Sequence, residues 1–373
     1  MKISLITLHN IKNYGSALQT YATQKILKTF VEEVEIINYY RKNTLEDDLV
    51  KNRINKSKVF SKNCLTKMVG KILIENSLKK QCEVFNTFLK KYINMTKKYT
   101  SYEELKNDYP KADIYCTGSD QVWNSDWNEG IDKAFFLDFV PKDKKRISYA
   151  SSFGKNKLDD FEIEKTKKML QNYYAISVRE DKAVKIINDL GIKNVEQVID
   201  PTLMLTGEEW KELAQDIKYK GKYILVYQLN TNNKKFDEYV KNLSKNKKMP
   251  VIRISNVIYQ KVKYGKFIYC PKIEEFLSYF ANAEYIVTDS FHGTGFSINF
   301  NKKFVCIFPE KFSSRLQSIL NLTGLEERRV TDFQNFDLVS KEIDYSKVNG
   351  IIQKEREKAK SFLSKAIKGE KND

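Results

Sequence analysis

AEYIVTDSFHGTGFSINF, residues 283–300, joins a strand-like run to a helix-like one through a polar turn. A short apolar run stops at Thr288-Asp289-Ser290, and a Gly-Thr-Gly turn then follows one of only two histidines in the chain. A buried strand that ends in polar residues just before a glycine-marked helix start is the repeating unit of parallel α/β sheets. The other histidine, in ITLHNIKNYGSALQ (residues 6–19), also follows an apolar run and precedes a glycine. Open α/β sheets bind ligands beyond the carboxyl ends of their strands. Two such loops on two sheets would therefore face one cleft.

The first half of the chain alternates strand-like and helix-like signals. ISLIT (3–7), VEIIN (34–38), ADIYCTG (112–118), RISYASS (146–152), YYAISVRE (173–180) and VEQVI (195–199) read as strands. GSALQTYATQKILKTF (15–30) and DKAVKIINDLG (181–191) carry helical spacing between them. Asp200-Pro201 stops the last strand, and Thr206-Gly207-Glu208-Glu209 resembles a helix start. A second alternating series runs from KYILVYQL (222–229) to KFVCIFPE (303–310). The expected organisation is a Rossmann-like domain over residues 1–200, a second over 201–345 and a C-terminal amphipathic helix over 346–373. The first domain carries a basic helical insertion at about 45–100.

Composition narrows the class. The chain has 373 residues with 22 Tyr and 22 Phe, enough apolar surface for two cores. Its five cysteines are scattered, without C-x-x-C, which suits reduced thiols rather than a disulfide framework or a zinc site. No signal pattern or membrane-length apolar run appears, so a cytoplasmic protein is expected. The net charge of +17 is uneven: between Leu49 and Lys98, 13 Lys and Arg face only Glu75 and Glu83. Leu65, Met68, Val69, Ile72 and Leu73 form one stripe there. The segment reads as inserted helices and not as a nucleic-acid arm, and it suits peripheral contact with an anionic inner membrane face.

Four motifs carry chemistry. In DSFHGTG, His292 can move a proton near neutral pH, and N–H groups around Gly293, Thr294 and Gly295 would present a helix start to an anion. Ser290 or Thr294 as a plain N-cap is the alternative. Asp289 or Asp120 would orient the histidine or activate a substrate. In NYGSALQT, Asn13 and Gly15 stand where a phosphate would sit, although neither the dinucleotide nor the P-loop spacing is present. In GSDQVWN, Ser119, Asp120, Gln121 and Trp123 combine polar groups with an aromatic face suited to a sugar, unless Trp123 is tucked inward. In SVRE, Arg179 follows a strand and would hold a carboxylate or phosphate through two parallel hydrogen bonds. No metal-ligand spacing is seen, so no metal is expected.

Taken in order, NYGSALQTYA, GSDQVWN, SVRE and DSFHGTGFSINFNKKFVCI resemble the polysaccharide pyruvyl transferase family. The resemblance implies a GT-B-like fold: two Rossmann-like domains with the site in the interdomain cleft. It implies transfer of the pyruvyl group of phosphoenolpyruvate to a saccharide or lipid-linked oligosaccharide acceptor, without cofactor, in capsule, exopolysaccharide or cell-wall synthesis. Arg179 matches the family's donor-binding arginine, and His292 its general acid/base. Better-known members carry an arginine two residues before that histidine, where this chain has Ser290, leaving Arg315 or Arg253 to supply the second cation. A GT-B glycosyltransferase using a nucleotide sugar and a non-catalytic glycan-binding member are the alternatives.

Overall fold

The protein is described by a computed structural model covering residues 1–41, 44, 50, 54–55, 64–230, 233–310 and 313–369. Two all-parallel sheets form its frame. The first contains β1 (Lys2–Ile6), β2 (Glu33–Tyr39), β3 (Met95–Tyr99), β4 (Ile114–Thr117), β5 (Lys145–Ser151), β6 (Ala175–Val178) and β7 (Val195–Gln197), in the order 3-2-1-4-5-6-7. The second contains β8 (Ile224–Tyr227), β9 (Val251–Ser255), β10 (Lys266–Tyr269), β11 (Tyr285–Thr288) and β12 (Lys303–Cys306), in the order 10-9-8-11-12. Both orders reverse direction beside the first strand of the sheet, as in doubly wound Rossmann-like folds.

Among the described residues, helices of nine residues or more are α1 (Tyr14–Leu27), α2 (Cys64–Tyr92), α3 (Asp160–Leu170), α4 (Asp181–Asp189), α5 (Lys234–Asn246), α6 (Ile273–Ala281), α7 (Phe291–Asn299), α8 (Ser314–Thr323) and α9 (Tyr345–Lys368). Side chains alternate across each strand. Ile3 and Leu5 thus share one core with Leu225 and Ile286 of the second sheet, while Ile6, and Ile224 with Val226, face two separate outer cores.

The inner core runs through α1, which is buried on almost every side. Two of its threonines are satisfied within the helix: Thr20 Oγ1 donates to the Ser16 carbonyl and Thr23 Oγ1 to that of Gln19. Tyr14 stacks on Phe276 of α6 at 4.3 Å, and its hydroxyl donates to the Pro271 carbonyl at 2.7 Å. The start of α1 is thereby held against the second sheet.

Two features differ from the sequence reading or sharpen it. Within the segment read as a helical insertion, Met95–Tyr99 is the edge strand of the first sheet. Its MTKKY sequence lacks the apolar run of its neighbours because an exposed edge is commonly protected by lysines. Residues 45–49, 51–53 and 56–63 of that segment, and the side chain of Leu65, lie outside the described residues. The C-terminal helix α9 buries Val348, Ile352, Ala359, Phe362 and Leu363. It touches both halves: Arg356 donates to the Leu203 and Leu205 carbonyls, and Lys145 at the start of β5 donates to the Ile367 carbonyl.

Candidate functional site

The loops after β1, β4, β8 and β11 leave the points where the two strand orders reverse. They surround a cavity of about 530 Å³. Asn13, Asp120, Asp289, Ser290, His292 and Arg315 all line it, so the two halves of the sequence meet there.

His292 is the second residue of α7, whose N-cap is Ser290. The imidazole is buried and packs on Gly15: a Cβ built on that glycine would fall 2.0 Å from Nδ1. Gly15 is therefore needed for close approach of the histidine. It is not an open phosphate seat, since Asn13 Oδ1 already accepts its N–H at 2.8 Å. His292 Nε2 has no hydrogen-bond partner and lies 3.9 Å from Asp200 Oδ2. Burial pushes the imidazole pKa below its usual value; Asp200 and Asp120 oppose that shift, and Arg179 and Arg315 add to it. The second histidine has a different task. His9 is buried, with Nδ1 and Nε2 against the Thr7 carbonyl and Asn38 Oδ1, and it ties the loop after β1 to β2.

Beneath the cavity lies a buried charge cluster. Arg179 Nη1 donates to Asp200 Oδ2 at 2.7 Å, with Asp120 at 3.7 Å and Glu180 at 3.5 Å. Its guanidinium carbon sits 4.5 Å from the centre of the Phe291 ring. Burial lowers the Arg179 pKa, but Asp200, Glu180 and Asp120 outweigh it and hold the group charged. Asp200 also accepts from Ser119 Oγ at 2.9 Å and from Thr202 N–H and Oγ1. Asp120 has a left-handed φ of 74° and accepts from Ser16 Oγ at 2.7 Å. Arg315 faces both the cavity and the small void that Arg179 lines, and its Nε has no partner.

Several residues singled out in the sequence serve other purposes. Asp289 lines the cavity, but its carboxylate accepts the Leu229 and Asn230 N–H groups at 2.7 and 2.8 Å, fixing the loop after β8. The carboxylate beside His292 is Asp200. Gly293 N–H is capped by Ser290 Oγ and Thr294 N–H by the Ser290 carbonyl, so neither is offered to an anion. Thr294 Oγ1 turns back to Ser290 and Cys306 inside the fold. Gln121 lines the cavity and accepts from Asn124. Trp123 is core: its indole N–H donates to the Phe135 carbonyl at 3.0 Å and its ring stacks on Phe136. An aromatic residue inside a polar loop does not announce which way it points. Trp127, four residues on, lines the cavity instead. Arg253 is buried beside the second sheet, bound to Gln228 and Asp237, which leaves Arg315 as the candidate second cation.

Asp200, Arg41 and Trp127 were not evident as site residues. Asp200 did carry a signal, a carboxylate directly after an apolar run, but the following proline makes it look like punctuation.

Among solved structures the chain is similar to UDP-GlcNAc 2-epimerase of Methanocaldococcus jannaschii, at 15% identity and a TM-score of 0.48, covering 95% of this chain and 94% of that one. It is also similar to a putative UDP-N-acetylglucosamine 2-epimerase of Listeria monocytogenes, at 10% identity and TM-score 0.49, with 95% and 90% covered. No curated protein matches in sequence. The family model for polysaccharide pyruvyl transferase matches residues 13–307, a span that opens at the cap of α1, ends just past β12 and holds Asp120, Arg179, Asp200 and His292. By that match this chain belongs to the polysaccharide pyruvyl transferase family.

Proposed function

We propose that the protein moves the pyruvyl group of phosphoenolpyruvate onto hydroxyls of a sugar in a cell-surface or lipid-linked glycan. The observation that carries this reading is the buried, unpartnered Nε2 of His292 at a cavity that Arg315 also lines. A base must be neutral before it acts, and burial keeps this imidazole neutral near pH 7. Once it takes a proton, Asp200 and Asp120 stabilise the imidazolium with no rearrangement.

In this reading His292 accepts the proton of the attacking sugar hydroxyl. The sugar oxygen bonds to C2 of the donor while C3 gains a proton. The bond from C2 to the phosphate oxygen then breaks, and a second hydroxyl closes the ketal. Of the two hydroxyl protons, one is balanced by that added to C3 and the other leaves with phosphate. Arg315 faces the donor's anionic groups. Arg179, surrounded by carboxylates, positions Asp200 and Asp120.

Phosphoenolpyruvate with a glycan acceptor should release inorganic phosphate in step with pyruvylated product, followed by phosphate assay and mass spectrometry. Thermal stabilisation by UDP but not by phosphoenolpyruvate would favour a nucleotide-sugar glycosyltransferase instead.

No helix among the described residues is long and apolar enough to cross a membrane. On α2, however, Met68 is 64% exposed, and Val69, Ile72 and Leu73 are exposed beside Lys67 and Lys71. We infer that this stripe rests on an anionic membrane surface carrying a lipid-linked acceptor. Apolar side chains enter the interface while lysines meet anionic headgroups, at about 1 kcal/mol for each lysine near the surface. The protein should cosediment with vesicles containing anionic lipid, and Met68→Glu with Leu73→Glu should weaken this at least fivefold. Equal recovery with neutral vesicles would remove the membrane from the reading.

A further inference from the structure

The cavity has a second cationic end that the proposed donor chemistry does not use. Arg41 follows β2, whereas Arg179 follows β6, and strands 1, 4 and 5 lie between them. At ~4.8 Å per strand, the two chain exits are roughly 19 Å apart. Arg315 belongs to the Arg179 end, since both line the same small void. Arg41 and Arg315 both line the cavity, and of the two only Arg315 also lines the void beside Arg179.

Arg41 is more than nine-tenths buried and lines the cavity. Its Nη1 donates to the Trp127 carbonyl at 2.9 Å and to Asn128 Oδ1 at 2.5 Å, which fixes the guanidinium, while its Nε is buried without a partner. Arg179, Arg253 and Arg328 each have a carboxylate partner. Among the described residues Arg41 has none within ion-pair distance; Asp132, Asp120 and Glu129 act on it from farther off and do not offset its burial. A buried guanidinium held by neutral acceptors retains its demand for an anion. Beside it, Trp127 is 52% exposed and lines the same cavity, whereas Trp123 and Trp210 are buried. An aromatic face next to a fixed guanidinium suits a ring that carries an oxyanion.

We propose that Arg41 and Trp127 form an acceptor subsite for a sugar bearing an oxyanion, either a phosphate ester or a carboxylate, at the end of the cavity away from Arg315. It rests on the pyruvyl-transfer reading only in leaving the Arg315 end to the donor. The sugar stacks on the indole, its oxyanion meets the guanidinium, and its free hydroxyls extend toward His292.

The test is calorimetric titration of the full chain, without phosphoenolpyruvate, using N-acetylglucosamine 1-phosphate, glucuronate and neutral N-acetylglucosamine. At least one anionic sugar should bind at least tenfold more tightly than the neutral one; the tighter of the two identifies phosphate or carboxylate as the preferred group. Arg41→Gln should abolish the preference. Trp127→Leu, at a half-exposed position that does not endanger folding, should weaken the anionic sugar at least fivefold. Arg315→Lys should leave its affinity within twofold. Equal binding of all three sugars, or a preference that survives both the Arg41 and Trp127 changes, would overturn the assignment. If phosphoenolpyruvate fails to bind while the Arg41-dependent preference persists, the donor reading fails and the subsite stands.

Discussion

Replacing His292 with Asn should slow pyruvyl transfer by about 10²- to 10⁴-fold, the usual contribution of a positioned acid or base, while phosphoenolpyruvate still raises the melting temperature. The imidazole lines the cavity, burial holds its pKa below the ordinary value, and Asp200 stands 3.9 Å from its Nε2. Its depressed pKa fixes the pH dependence: below that pKa the ring is already protonated and cannot act as the base. The acid limb of kcat/KM should therefore lie below the ordinary value of about 6.5, and it should vanish in the variant. A variant within tenfold of the parent, with the limb unchanged, would place the base elsewhere. Gly15→Ala tests the same group from the other side. The new Cβ would overlap the ring and force His292 to move, costing about 1–3 kcal/mol and at least tenfold in rate. Gly295→Ala is the matched control. Its Cβ would meet nothing closer than 3.8 Å, so stability should hold or rise by up to about 1 kcal/mol.

The frame was legible because parallel strands covered on both faces read as unbroken apolar runs. ISLI, ADIYCT, KYILVY and EYIVT all became strands where those runs stand. The edge strand at Met95–Tyr99 escaped notice because it pairs on one side only and Lys97 and Lys98 stay exposed. Sequence spacing also located the cavity loops after β1, β4 and β11, since each follows a strand, but not the one after β8. Which side chains point into the cavity was not legible. Trp123 and Trp127 lie in the same polar stretch, and packing against Phe136 and Phe153 selects the first for the core. Asp289 adjoins the histidine in sequence but binds the backbone of the loop after β8. Asp200 lies far from His292 in sequence and only the meeting of the two halves makes them neighbours. Gly15 suggested an anion seat because glycine before a helix has that use; the ring of His292 against it was invisible until the fold was built.

Asp200→Ala should be the most destabilising single change in the site, at about 3–5 kcal/mol, the cost of removing one partner of a buried ion pair. Asp200 is fully buried and accepts from Arg179, Ser119 and Thr202 at once. Its loss leaves Arg179 with carboxylates only at 3.5 and 3.7 Å and strands the Ser119 hydroxyl. Burial alone would raise the carboxyl pKa, but Arg179, the His292 ring in its protonated form at acid pH, and the hydrogen bonds outweigh it and bring the pKa down to about 2. The sign follows: a carboxyl whose pKa is lower folded than unfolded stabilises the fold above its unfolded value of about 3.9. That contribution, on the order of 2–3 kcal/mol, is lost as pH falls through the folded value. Urea midpoints of the parent should therefore drop between about pH 4 and 2, and Asp200→Asn, which keeps the shape without the titration, should show a shallower drop. The Asn variant should also lower the His292 pKa further, because the carboxylate that favours imidazolium is gone, and so shift the acid limb of kcat/KM to lower pH. Loss of stability without that shift would make Asp200 a purely structural anchor. The two together would show that one carboxylate both holds Arg179 in place and prepares His292 for the proton it must receive.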